Sequence, residues 1–373
     1  MVLKVGWGQA LAWRRNRQLL DPIGRLPPEA VVRRLCGVQA QVASSADLAV
    51  RVRTKAGRPG EVSTALADGR LIKTWAMRGT LHLLTPVEGA DFLSLLASGR
   101  TWERPSWQRA FGMPLEAWAR LRPIVRDALE AGPLTREELV AAIVAEPGLE
   151  HLGEELMRGW GTLLKPLAWQ GDLCFGPARG NRVTFMRPEA ASPDWPGVPD
   201  PDHSGPRAIA AYLAAYGPST IENFHGFLAR GWMGARQLRG WFAGLGNRLV
   251  GVEVEGERRF VLAEDVDDLA RARPTKAVRL LGAFDQYVLG PGTDDVHVVA
   301  APSRRLVSKQ SGWIAPVVVL GGVVAGTWEL AGDVVQVAWF GESGAPPGAA
   351  LAEEVARLGS IIGRSLEPAV TPI

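Results

Sequence analysis

Cysteine is almost missing. The 373 residues carry two, Cys36 and Cys174. They stand far apart among apolar neighbours and form no Cys-x-x-Cys pair, which argues against a disulfide framework or a cysteine-based zinc module. The five histidines, His82, His151, His203, His225 and His297, are scattered. No metal site is expected. Long apolar runs are missing too. The longest, "APVVVLGGVVAGTW", is too short and too rich in glycine to span a bilayer. The N-terminal "MVLKVGWGQALAWRR" lacks the layout of a secretory signal. A cytoplasmic protein with no membrane partner is expected. Familiar catalytic signatures are also lacking: there is no GxxxxGKS phosphate loop, no GxGxxG after a strand, no HExxH and no GxSxG. No separate carboxylate pair stands out, and no cofactor is expected.

Nearly half of the residues are apolar and 22% are charged, the composition of a folded globular chain. Its length suits two to four domains. Net charge is only +3, although the isoelectric point is about 9.1. A nucleic-acid footprint must therefore come from local clustering. Arginine greatly outnumbers lysine. A bias toward Ala, Gly, Pro and Arg codons accounts for most of that excess, and phosphate contact for a minority.

The organising pattern is a repeat. "PPEAVVRRLCGVQAQ" opens with prolines suited to a helix start and continues with Val31, Val32, Leu35 and Val38 at helical spacing. "VASSADLAVRVRT" predicts a second helix, and a third ends near Asp68-Gly69. A hairpin follows, "LIKTWAMRGTLHLL", turning at "AMRGT". The same order recurs after "AGPLTREELVAAI", where Thr135 and Glu138 make a capping box. There "GTLLKPLAWQG" resembles a recognition helix and "DLCFGPARGNRVTFM" a hairpin. It recurs once more from "YGPSTIENFHGFL", through the helix "MGARQLRGWFAGL", to a hairpin turning at Glu255-Gly256.

Three copies of helices-then-hairpin predict an α+β chain of three tandem winged-helix motifs. The expected boundaries are 1–104, 105–190 and 207–274, with a Pro/Gly-rich linker at 191–206. Residues 275–373 predict a β-rich unit, a small β-barrel with a closing helix. Its expected strands include "DDVHVVAA" at 294–301.

Winged helices place a helix in a groove while the hairpin touches the backbone. Candidate DNA contacts are Lys73, Arg78 and His82 on the first hairpin and Arg179 and Arg182 on the second. Arg304, Arg305 and Lys309 join them from "APSRRLVSKQSG", read as a polar loop between strands. Solvated turns explain each of these about as well. Among the fourteen tryptophans, Trp328 and Trp339 alternate with apolar strand residues and are expected to be buried. Asp285, in "FDQY", is a lone carboxylate that either helps chemistry or caps a turn. Three readings remain open from the residues alone: a DNA-processing enzyme, a DNA-binding regulator and a protein-interaction scaffold.

Gln39 and Gln41 in "GVQAQVASS" pose a geometric question. On an ideal helix, residues two apart point about 200° away from each other. They share a side only where the chain is extended. Gly37 before the pair, with Ser44 and Ser45 after it, predicts that the segment leaves the helix and turns both amides into one cleft. Two surface glutamines at a helix end are the plainer alternative.

Four segments, "VVRRLCGVQAQ", "ALADGRLIKTWAMRGTLHLL", "LLGAFDQYVLG" and "APVVVLGGVVAGTWE", resemble the AlkZ-like winged-helix DNA glycosylases in matching order over nearly the whole chain. The family's Gln–aliphatic–Gln signature is matched by Gln39, Ala40 and Gln41. A sister branch carries aspartate at the second glutamine, so Gln41 places this chain on the AlkZ-like side. The resemblance implies a C-shaped array of three winged helices with a C-terminal β-barrel. It implies hydrolytic removal of N7-alkylated purines from double-stranded DNA, including bulky adducts and interstrand cross-links. Gln39 and Gln41 become the expected catalytic residues, with Asp285 as an electrostatic helper. No lysine stands out for Schiff-base chemistry, so a monofunctional, monomeric enzyme is expected.

Overall fold

The computed structural model describes residues 2–55, 57–229 and 233–373. The chain is α+β, and the strands among the described residues gather into three sheets.

The first helix–hairpin unit contains helices Pro28–Arg34, Ala43–Arg51 and Glu61–Ala67. Val31, Val32 and Leu35 are fully buried, so the apolar stripe faces inward as its spacing requires. Strands Ile72–Trp75 and Leu81–Leu84 follow, joined by a 3-10 turn at Met77–Gly79. The second unit contains helices Leu115–Ala128, Arg136–Val144 and Leu164–Trp169, then strands Cys174–Phe175 and Thr184–Met186. Its capping box is formed. Glu138 N donates to Thr135 Oγ1 at 3.3 Å, and Thr135 N donates to Glu138 Oε2 at 2.8 Å. Such a cap contributes about 1 kcal/mol. The third unit contains helices Pro201–Tyr216, Ile221–Ala229 and Ala235–Ala243 and strands Leu249–Val254 and Glu257–Leu262. Its turn places Glu255 (φ 48°) and Gly256 (φ 87°) in the left-handed region that a two-residue hairpin demands.

The units are more interwoven than their order in the chain suggests. The first two hairpins share one sheet, because Lys73 pairs with Phe175 in antiparallel register. From edge to edge that sheet runs Val38–Gln39, Leu81–Leu84, Ile72–Trp75, Cys174–Phe175, Thr184–Met186, Leu134–Thr135. The N-terminal strand Lys4–Val5 joins the third hairpin, parallel to Leu249–Val254.

Three expectations need correction. The linker at 191–206 gives way to helix at Pro201: Asp200 caps it by accepting from Asp202 N at 2.8 Å, and proline suits the first turn. Within it, a side chain on Gly205 would lie 2.2 Å from the Trp241 ring, so glycine here serves close packing. The segment 294–301 forms no strand. Asp295 Oδ1 accepts from His297 N at 3.1 Å, and the Asp295 carbonyl accepts from Val298 and Val299, which curls the chain into turns. The C-terminal unit is an open sheet and not a closed barrel. Its order is Val278–Leu281, Val317–Leu320, Val323–Ala331, Val334–Trp339, Glu367–Pro372. The last pair is parallel and the others antiparallel. Helix Gly348–Ile362 covers one face, burying Leu351, Val355 and Leu358 against Val278, Leu280, Val335 and Val337. Trp328 and Trp339 are buried in this core.

Candidate active site

The glutamine segment is shaped by how its helix ends. After Arg34 the chain enters the left-handed region at Cys36 (φ 55°) and Gly37 (φ 99°). Gly37 N donates back to the Val32 carbonyl at 2.9 Å, closing the helix as a left-handed C-cap does. A Cβ on Gly37 would lie 2.6 Å from Leu84 Cδ2 and 3.2 Å from the Leu83 carbonyl, so only glycine fits. Val38–Gln39 then pairs antiparallel with Leu83 and His82, and Ala40 N donates to the Leu81 carbonyl at 2.7 Å. In this extended conformation Gln39 and Gln41 both line one cleft of about 1020 Å³. Gln39 is 6% exposed and Gln41 is open to solvent.

All three helix–hairpin units and the C-terminal unit contribute to the cleft walls. Trp75 and Arg78 come from the first, Arg136, Trp160 and Lys165 from the second, Glu222, Asn223 and Phe227 from the third, and Phe284, Arg304, Lys309 and Trp313 from the last. Arg78, Arg136, Lys165, Arg304 and Lys309 outnumber the lining carboxylates Glu222 and Asp294. The cleft is therefore cationic, as a polyanion requires. Burial lowers the pKa of Lys165. Arg136 is held by the carbonyls of Leu156 (2.9 Å) and Arg158 (3.3 Å) and lies over the Phe185 ring.

The expected DNA contacts divide into groups. Arg78, Arg304 and Lys309 line the cleft. Arg78 Nη1 also donates to the Phe227 carbonyl at 3.0 Å, with its guanidinium over the Phe227 ring. Arg305 lines a neighbouring cavity of about 470 Å³, which Arg304 and Ser308 share. The segment carrying these cations is a short helix, Arg304–Val307, followed by a turn in which Lys309 N donates to the Trp313 carbonyl, where an irregular polar loop was expected. Lys73 is half-buried and lies 5.7 Å from the Phe175 ring centre; burial lowers its pKa. Arg179 and Arg182 are exposed on the second hairpin and do not line the cleft; Arg179 is paired with Glu138 at 2.7 Å and with the Pro133 carbonyl.

Burial removes one expected contact and gives a second residue a structural partner. His82 is 0% exposed and cannot touch a phosphate. Its Nδ1 is 3.0 Å from the Thr80 carbonyl, and burial together with Arg78 lowers its pKa to about 3. Asp285, expected as an electrostatic helper, does not line the cleft. It is 1% exposed and forms a two-pronged ion pair with the fully buried Arg53 at 2.6 and 2.8 Å. It also caps a short helix by accepting from Tyr287 N.

Residue patterns missed Trp160, Trp313, Arg136 and Lys165. Trp160 is 74% exposed and Trp313 44%. The one available signal was the Gly159-Trp160-Gly161 sequence, which holds an aromatic residue out of any regular element.

Similarity to known proteins accords with this geometry. The family described as "DNA glycosylase AlkZ-like" matches residues 32–361. This chain belongs to the AlkZ-like DNA glycosylase family. It is 45% identical over 367 residues to an interstrand DNA cross-link repair glycosylase of Streptomyces sahachiroi, covering 98% of this chain and 99% of the relative. The solved structure of the Streptomyces sahachiroi DNA glycosylase AlkZ superposes with a TM-score of 0.95 over all of both chains, at 45% identity. An AlkZ-like protein of this kind is an enzyme acting on N-glycosyl bonds, and the regulator and scaffold readings fall away. Among the described residues, no group of three His, Cys, Asp or Glu side chains could hold a metal ion, and no helix is long and apolar enough to cross a membrane.

Proposed function

We propose that this AlkZ-like enzyme hydrolyses the N-glycosidic bond of N7-alkylated purines in duplex DNA, unhooking interstrand cross-links as well as releasing single adducts. The observation that carries this reading is the joint opening of Gln39 and Gln41 onto one cationic cleft. The cross-link specificity named for the relative from Streptomyces sahachiroi supports it.

Alkylation at N7 leaves the purine cationic and ready to depart. As the bond to C1′ lengthens, the sugar takes on oxocarbenium character, as in other glycoside hydrolyses. Water then needs positioning more than deprotonation. A carboxamide offers one acceptor oxygen and two donor hydrogens, so the pair can hold and aim a water at C1′, and an amide oxygen turned toward the cation stabilises it. A neutral amide is a poor base. Undamaged purines, which leave badly, are therefore poor substrates. The lysines of the cleft serve the phosphates, and the enzyme leaves an intact abasic site. It acts as a monomer, with three winged-helix units and the C-terminal unit forming a C around the duplex. A cross-linked base is tethered to the opposite strand and cannot swing into a closed pocket. A cleft open to solvent and walled by four units suits a lesion approached within the helix.

The test is incubation with duplex carrying one N7-methylguanine, followed by hot alkali. Strand cleavage well above that of the same alkylated duplex without enzyme is expected, and none for its unmodified twin. Cleavage no greater than without enzyme would overturn the proposal.

A further inference from the structure

Gln39 is one end of a buried row of three polar side chains. Gln39 stands opposite His82, and His82 opposite Thr74, across three adjacent antiparallel strands. Residues paired in this way project from the same face with Cβ atoms about 5 Å apart. Their exposures are 6%, 0% and 0%. Gln39 Oε1, His82 Nε2 and Thr74 Oγ1 are each buried with no hydrogen-bond partner among the described residues. Left dry, each such group is destabilising. Three on one face of a sheet define a polar site, and protein interiors satisfy such sites with ordered water.

The chemistry of the three groups fits one water molecule. His82 Nδ1 donates to the Thr80 carbonyl, which fixes the tautomer and leaves Nε2 an acceptor. Gln39 Oε1 is a second acceptor. Thr74 carries a hydroxyl that can donate. Water donates twice, to His82 Nε2 and Gln39 Oε1, and accepts from Thr74. We infer that a single buried water molecule bridges Gln39, His82 and Thr74 and sets the orientation of the Gln39 amide. Held this way, Gln39 keeps its oxygen inward and turns its Nε2 hydrogens to the cleft. Gln39 is then the donor of the catalytic pair and Gln41 the acceptor. His82 and Thr74 are positioning residues that never touch the substrate. The inference rests on the proposed hydrolytic role of the glutamines.

A double-mutant cycle on single-turnover release of N7-methylguanine tests it. Thr74→Val preserves shape and removes the hydroxyl. It is expected to slow release about tenfold with DNA affinity unchanged, while Thr74→Ser restores most of the rate. In a Gln39→Ala background Thr74→Val should cost nothing more. The same loss in both backgrounds, or no loss in either, would overturn the inference. A high-resolution crystal structure of the unaltered protein gives an independent reading: solvent density within hydrogen-bond distance of all three groups is expected, and a dry or differently bonded Gln39 Oε1 refutes the bridge. Failure of the unaltered protein to release any base would instead remove the proposed function.

Discussion

Replacing Asp285 with asparagine separates a structural role from a catalytic one. The carboxylate meets Arg53 Nη1 at 2.8 Å and Nη2 at 2.6 Å, and both side chains are essentially sealed from solvent. Arg53 Nη1 also donates to the Ala49 carbonyl at 2.7 Å, so the pair ties the helix following the glutamines to the C-terminal unit. Asparagine keeps the shape and can still cap Tyr287 N. What it removes is the charge, leaving the Arg53 guanidinium buried without its counter-ion. Breaking one side of such a pair costs about 3–5 kcal/mol, a large share of a total stability of about 5–15 kcal/mol. At a urea slope of about 3 kcal/mol/M the unfolding midpoint falls by at least about 1 M. Tryptophan fluorescence in a urea titration measures this directly. Excision is then assayed in the cold, where the variant remains folded, and a rate within a few-fold of the parent is expected. An unchanged midpoint with a rate loss of about 100-fold would refute the reasoning and return Asp285 to the reacting centre.

Further outcomes follow from the same geometry. His82 has a folded pKa of about 3, below its usual value of about 6.5, so between these values the unfolded chain binds the extra proton. Stability is full above about pH 6.5 and falls as pH drops toward about 3, with roughly 2 kcal/mol lost by about pH 5. Urea midpoints at about pH 7.5 and 5 should show that loss in the parent and a smaller one in His82→Gln; equal losses would exclude His82 as its source. Trp160→Ala removes an exposed ring and should leave the melting temperature unchanged. Loss of base stacking, worth about 1–3 kcal/mol, should weaken DNA binding roughly 5- to 150-fold in a fluorescence titration. Arg304→Ala combined with Lys309→Ala should flatten the dependence of log affinity on log salt by up to about two.

Much of the local structure was legible because local chemistry decides it. The Thr135–Glu138 cap, the Glu255-Gly256 turn and the helix exit before Gln39 each need particular residues within a few positions of one another. Features that depend on distant partners were not. Nothing near Asp285 announces Arg53, and nothing in either hairpin announces the Lys73–Phe175 pairing that fuses their sheets. Alternation identified strands in the C-terminal unit but could not say whether its edges meet. At 294–301 a β-like pattern yielded to the turn made by Asp295. Pro201 was read as a linker residue, whereas proline serves equally at a helix start. His82 looked like a contact because hairpins are often exposed, but pairing with strands on both sides encloses it.

In the proposed reaction two neutral carboxamides steer water onto a base that leaves under its own charge. The most direct measurement is the single-turnover release rate of N7-methylguanine from a duplex by the parent, Gln39→Ala and Gln41→Ala, with DNA affinity determined for each. Both variants should bind as tightly as the parent and release base about 100-fold or more slowly. Either variant working at the parent's rate would contradict it.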